Sequence, residues 1–151
     1  MKLIAHRGLV RGPNKHLENQ PQQVQTSLDN GFDCEVDLWI FGGRPYLGHD
    51  GPQYDVVEKF IKQPGLWIHC KNLDALTYCQ NDIKLNYFWH ENDSYTMTSK
   101  GFIWAFPGKP LNEFSIMVMP EHVDKDLIET QSVSCYGICS DYILDIQKMR
   151  S

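Results

Sequence analysis

Short apolar runs recur along the whole chain, separated by polar, Gly-containing or Pro-containing stretches. Eight of these runs read as strands: Leu3–His6, Asp33–Ile40, Tyr46–Gly48, Leu66–Lys71, Tyr87–His90, Phe102–Ala105, Ser115–Met119 and Tyr136–Ser140. Between several of them the spacing predicts helices. These are Pro21–Asn30 closed by Gly31, Tyr54–Lys62 stopped by Pro64, Leu73–Asn81 and Val123–Thr130, with Tyr142–Met149 at the end. Strand and helix alternate, which predicts parallel strands. The exception is "FGGRP" (41–45), whose Gly-Gly turn reads as a β-hairpin extension after the second strand.

Periodicity leaves two closures open, a doubly wound sheet or a (β/α) barrel. An eight-fold barrel takes about 250 residues and seldom fewer than about 200, so a barrel of 151 residues needs very short or missing helices. The turn-rich segments Asn92–Lys100 and Pro107–Glu113 are where helices would be trimmed.

With 42% hydrophobic, 22% charged and 12% aromatic residues, the composition is that of one globular domain over residues 1–151. A net charge of -5 without a run of Lys or Arg argues against nucleic acid or an anionic membrane surface as partner, and favours a small molecule. No stretch approaches the ~18 apolar residues of a membrane span. "MKLIAHRGL" has too short an apolar run for the h-region of about 7–15 residues in a signal peptide. Five cysteines (34, 70, 79, 135, 139), an odd number with no Cys-x-x-Cys, predict reduced thiols and a cytoplasmic location.

The polar residues embedded in the strands change this picture. Strand residues two apart share a face, so Glu35 and Asp37 point together while Cys34 and Val36 point away. Two carboxylates side by side on an apolar strand repel unless a cation or strong donors sit between them, which makes the pair a seat for a divalent metal. "LWIHCKN" (66–72) likewise puts His69 and Lys71 on one face, a nitrogen ligand and a point charge for phosphate. "IAHRG" (4–8) ends an apolar strand with His6 and Arg7, and "GHDG" (48–51) adds His49. "WHEND" (89–93) reads as a polar turn, "FPGKP" (106–110) as a turn rather than a phosphate loop, and Cys135 and Cys139 as buried thiols.

The order "HRG" (6–8), "EN" (18–19), "EVD" (35–37) and "HD" (49–50) resembles the N-terminal signature of the glycerophosphodiester phosphodiesterase family. "IHCK" (68–71) is similar to that family's Ile-Glu-x-Lys strand, and "GICSDY" (137–142) to its closing strand. The resemblance covers the first third of the chain well. It implies a compact TIM-type (β/α) barrel with a divalent cation at its C-terminal mouth, hydrolysing a glycerophosphodiester to glycerol phosphate and an alcohol. His6 and His49 would be the acid and base, and Glu35, Asp37 and the residue at position 69 the metal ligands. Arg7 and Lys71 would hold the phosphate, with Glu18 near the first His and the substrate hydroxyls.

Three departures qualify what the resemblance implies. His69 stands where the family has an acidic ligand, which shifts the expectation from Mg2+ or Ca2+ toward Mn2+ or Zn2+, or toward a weak site filled out by water. "ENQ" replaces Glu-Asn-Thr, and the chain is short for the family. Two alternatives stand beside hydrolysis: a non-catalytic relative that binds a phosphorylated ligand, and a lyase-type phosphodiesterase that leaves a cyclic phosphate.

Overall fold

The strand Asp33–Phe41 (β2) is the axis of the sheet, flanked over its first half by two parallel strands and over its second by a hairpin partner. The computed structural model describes residues 1–123 and 134–151. The other strands are β1 (Lys2–His6), β3 (Arg44–Leu47), β4 (Tyr54–Asp55), β5 (Leu66–Cys70) and β6 (Tyr87–Phe88). They continue with β7 (Tyr95–Met97), β8 (Ile103–Ala105), β9 (Ser115–Val118) and β10 (Gly137–Ser140). Four short helices accompany them among the described residues, α1 (Pro21–Asp29), α2 (Glu58–Ile61), α3 (Leu73–Gln80) and α4 (Ile143–Met149), with a 3-10 turn at Pro120–His122.

All ten strands belong to one mixed sheet. Seven run parallel in the order β6-β5-β2-β1-β10-β9-β8. At one edge β7 is antiparallel to β8, and β3 and β4 fold back antiparallel from the C-terminal half of β2. The sheet curls into a half-barrel. Its β6 edge approaches the segment 96–99, where Ser99 N–H donates to the Tyr87 carbonyl (2.8 Å) and Thr96 Oγ1 to the Trp89 carbonyl (2.9 Å). The Ser99 hydroxyl adds two bonds at 3.0 Å, accepting from Tyr87 N–H and donating to the Leu85 carbonyl. No strand ladder joins these two edges.

This corrects the expected TIM-type barrel. A (β/α) barrel needs a crossover helix after each parallel strand, and none is described between β6 and β8 or between β8 and β9. The chain there is spent on the reversed strand β7 and on turns, so the sheet stays an open curl only partly covered by helices. Tyr54–Lys62 is also not one helix: Tyr54 and Asp55 pair with β3, and helical turns start only at Glu58. The helix expected over Val123–Thr130 falls outside the described residues except for Val123, which lies in a turn.

Local chemistry accounts for the elements that do form. The hairpin after β2 turns on Gly42 (φ 58°) and Gly43 (φ 76°), both left-handed, as a two-residue turn matched to strand twist requires. Helix α1 begins with Pro21 at its first position. Helix α3 is capped by Asn72, whose Oδ1 accepts from Ala75 N–H (3.0 Å) and whose Nδ2 donates to the Ile40 carbonyl (2.8 Å), fixing the helix to β2.

Strand alternation divides the core. On the convex face Ala5, Cys34, Val36, Leu38, Ile68, Cys70 and Ile138 pack with helix residues such as Val24, Ala75, Cys79, Ile143 and Ile146. On the concave face Ile4, Trp67, Phe88, Trp104, Ile116 and Cys139 form a second cluster. Its rings interlock, with centroids 4.6 Å apart for Phe88 and Trp104 and 6.0 Å for Trp67 and Trp104. All five cysteines are buried with free thiols, and no described helix is long and apolar enough to cross a membrane.

Candidate functional site

Above the aromatic cluster, one step further along the same strands, the concave face becomes polar. Register brings the residues together. His6 lies opposite Glu35 across β1 and β2, Asp37 opposite His69 across β2 and β5, and Ala5 opposite Ser140, so that the strand ends bring His6 and Asp141 side by side. His6, His69 and Asp141 are at C-terminal strand ends, where parallel sheets present their loops and ligands, and Glu35 and Asp37 meet them from the middle of the longer β2.

The turn after β1 is built for this. Arg7 (φ 52°) and Gly8 (φ 76°) are both left-handed, which aims the Arg7 N–H at Glu35 Oε2 (3.1 Å). A Cβ on Gly8 would sit 3.0 Å from the Val24 Cα, so only glycine lets this turn lie against α1. Asn19 is also left-handed (φ 59°) and fully buried. Its Oδ1 accepts from Asp37 N–H (2.9 Å) and its Nδ2 donates to Asp37 Oδ2 (2.8 Å). Asn19 thus holds the edge of β2 that β1 has left, and non-glycine residues in this conformation are the kind of local strain that collects at working sites.

Asp37 and Glu35 are both buried, and each has one oxygen tied to the scaffold and one aimed inward. Asp37 Oδ2 meets Asn19, Arg7 Nε (3.2 Å) and His49 Nδ1 (3.5 Å). Its Oδ1, buried and without a hydrogen bond, faces His69 Nδ1 (3.2 Å) and Lys71 Nζ (3.8 Å). Glu35 Oε2 takes the Arg7 N–H, while Oε1 faces His69 Nδ1 (3.7 Å). Burial pushes the Asp37 carboxyl up, yet His49, His69 and Arg7 more than reverse it and hold it well below the ordinary range. Burial and the neighbouring Asp37 charge raise Glu35, and His6, His69 and Arg7 offset this only in part.

His6 Nδ1 bonds Asp141 Oδ1 at 2.7 Å, and because a carboxylate only accepts, that nitrogen donates. Its Nε2 turns toward Glu35 Oε2, 3.8 Å away. Burial disfavours charge on this ring, but the Asp141 bond and the Glu35 charge outweigh it and raise its pKa. Asp141 is itself fixed, its N–H donating to Glu121 Oε1 (3.0 Å). On the other flank His49, 38% exposed at its side chain, has Nε2 3.5 Å from Arg7 Nη2. Arg7 Nη1 donates to Glu18 Oε2 (2.9 Å).

All eight residues singled out in the sequence therefore meet at one strand-end cluster: His6, Arg7, Glu18, Glu35, Asp37, His49, His69 and Lys71. Glu18 contacts Arg7, and the Arg7 guanidinium is shared between Glu18, Asp37 and His49. Sequence reasoning gave no role to three further groups: Asn19, Asp141 and the His90 carbonyl, which accepts from His69 Nε2 at 2.8 Å. The first two stand inside the quoted "EN" and "GICSDY" motifs, which was the available signal. A backbone carbonyl has no sequence signature.

One oxygen each from Glu35 and Asp37 and one nitrogen of His69 all lie within 4.8 Å of one another, a buried group able to hold a metal ion. Asp37 Oδ1, buried without a hydrogen bond and 3.2 Å from His69 Nδ1, fits that use. Compared with protein-family models, curated proteins and solved structures, the chain has no significant match.

Proposed function

We propose that the chain is a metal-dependent phosphodiesterase that hydrolyses a glycerophosphodiester to glycerol phosphate and an alcohol. The observation that carries this reading is the placing of two imidazoles, His6 bonded to Asp141 and His49 with Nδ1 3.5 Å from Asp37 Oδ2, next to the Glu35, Asp37 and His69 group. The order of these residues along the chain, which resembles the glycerophosphodiester phosphodiesterases, supports the choice of substrate.

Glu35, Asp37 and His69 would hold the ion. A divalent cation there supplies neutralisation of charge on the phosphate's non-bridging oxygens. The remaining work falls to the protein. Asp141 fixes the His6 tautomer, so Nε2 is the nitrogen that accepts a proton from the attacking hydroxyl or water. His49, the more exposed imidazole, gives a proton to the departing alkoxide. Lys71 meets the phosphate as a point charge. Arg7 adds positive charge while it positions Asp37 and His49.

The test is release of glycerol phosphate from glycerophosphocholine by purified protein with a divalent ion. His6→Ala and His49→Ala should each lower turnover by about 10²–10⁴-fold. Turnover that survives both substitutions removes the acid-base assignment. Phosphorus NMR separates the outcomes: a monoester supports hydrolysis, a persistent cyclic phosphate the lyase reading, and binding of inorganic phosphate without turnover a non-catalytic relative.

A further inference from the structure

His69 stands where the resembled family has an acidic metal ligand, and its surroundings fix what each ring nitrogen can do. Nε2 lies 2.8 Å from the carbonyl oxygen of His90. A carbonyl only accepts, so Nε2 carries the proton, and in the neutral ring Nδ1 is left with its lone pair. The ring cannot swing away, because it stacks on Phe88 at 13° with centroids 5.1 Å apart. Its Nδ1 points at Asp37 Oδ1 (3.2 Å), which is buried without a hydrogen bond, and at Glu35 Oε1 (3.7 Å). With the ring neutral, these three atoms converge as acceptors, with the Lys71 ammonium 3.8 Å from Oδ1, while Oδ2, Oε2 and Nε2 are each tied to the scaffold. That is the arrangement of metal ligands held by a shell of outer hydrogen bonds.

We infer that this centre selects a borderline transition-metal ion of the zinc, cobalt(II) or manganese(II) class, bound through His69 Nδ1, over magnesium and calcium. Magnesium and calcium favour shells of oxygen, and exchanging a carboxylate for an imidazole removes one charge and one hard ligand. Imidazole affinity rises along the first transition row, so the same exchange favours the later ions. The spacing admits a small ion: two ligands about 2.1 Å from it are at most about 4.2 Å apart, and the 3.2 and 3.7 Å separations from His69 Nδ1 fall inside that limit. This deepens the reading above by naming the class of ion, and it rests on that reading only for the importance of the site.

The experiment reads the ion rather than turnover. Chelator-stripped protein is dialysed against equimolar Mg2+, Ca2+, Mn2+, Co2+ and Zn2+, and the retained metal is measured by elemental analysis. One transition-metal ion per chain should remain, and His69→Ala should lower its retention by about tenfold or more. His69→Glu, which restores an all-carboxylate set, should turn retention toward Mg2+ or Ca2+. Nitrogen NMR of the imidazoles should show Zn2+ shifting His69 Nδ1 and leaving its Nε2 protonated. Retention of Mg2+ or Ca2+ by the unaltered protein overturns the inference. So does retention of no ion, or of transition metal that His69→Ala leaves unchanged. The two readings fail separately: a protein that keeps Zn2+ through His69 but cleaves no phosphodiester loses the proposed activity alone. One that cleaves with Mg2+ held and Zn2+ ignored loses the selectivity alone.

Discussion

The concave face of the sheet holds two layers built from the same strands, two residues apart. Ile4, Trp67, Phe88 and Cys139 form the lower layer, and His6, His69, His90 and Asp141 follow them at the strand ends. The lower layer is apolar, its rings in mutual contact and its members nearly closed to solvent. The upper one packs the carboxylates of Glu35, Asp37 and Asp141 and several cationic or imidazole groups into a partly buried space. Alternation decides which face a side chain takes, and height along the strand decides whether it meets rings or loops. The difference separates what holds the fold from what the proposed chemistry would use.

Substituting one member of each layer sharpens this contrast most. Trp67→Ala empties the lower layer and should cost about 3–5 kcal/mol in denaturant unfolding, leaving metal bound per folded molecule unchanged. Glu35→Gln should do the reverse. It abolishes metal retention, while the metal-free protein keeps or gains stability because one of two repelling buried carboxylates is gone. A large stability loss in Glu35→Gln would break the division of labour between the layers.

A smaller effect is expected where the layers are joined to their supports. Asn19→Ala leaves the Asp37 N–H and one carboxylate oxygen without their partner, for about 1–3 kcal/mol. It should also weaken metal binding by about 10–100-fold, as removal of an outer hydrogen bond does. Retained affinity would mean that Arg7 and His49 hold Asp37 without Asn19. Smallest is Ser99→Ala at the seam of the curl, which strands Tyr87 N–H and should cost about 1 kcal/mol. Hydrogen exchange should speed at Tyr87 and not at β1 or β2; uniform acceleration would mean that the seam supports the whole sheet.

Much of the upper layer was legible because strand alternation is a local rule. Glu35 with Asp37, and His69 with Lys71, share faces by spacing alone, and both pairs meet at the site. Asp141 was not legible as a partner of His6, since 135 positions separate them and only the β1–β10 pairing brings them together. The barrel failed for a related reason. A parallel order implies crossovers but not their covering helices, and Tyr95–Met97 is a strand only because β8 offers an antiparallel edge. Tyr54 misled because Tyr54, Val57, Phe60 and Ile61 have helical spacing. Hydrogen bonds from Gln53 to Leu47 and from Val56 to Pro45 keep that backbone extended.

The pairing of β1 with β10 also sets an order of events during synthesis. Every member of the candidate metal group has been made by residue 69, but the carboxylate that orients His6 lies after β10, in the turn before the last helix. A nascent chain short of β10 holds Glu35, Asp37, His69 and both imidazoles proposed to move protons, but lacks the carboxylate that orients His6. Its β1 has an unpaired edge, the kind of exposed template that invites association with another chain. Folding that waits for such a distant strand is slow by topology, so the site's competence arrives last, in one step, when the sheet accepts its closing strand.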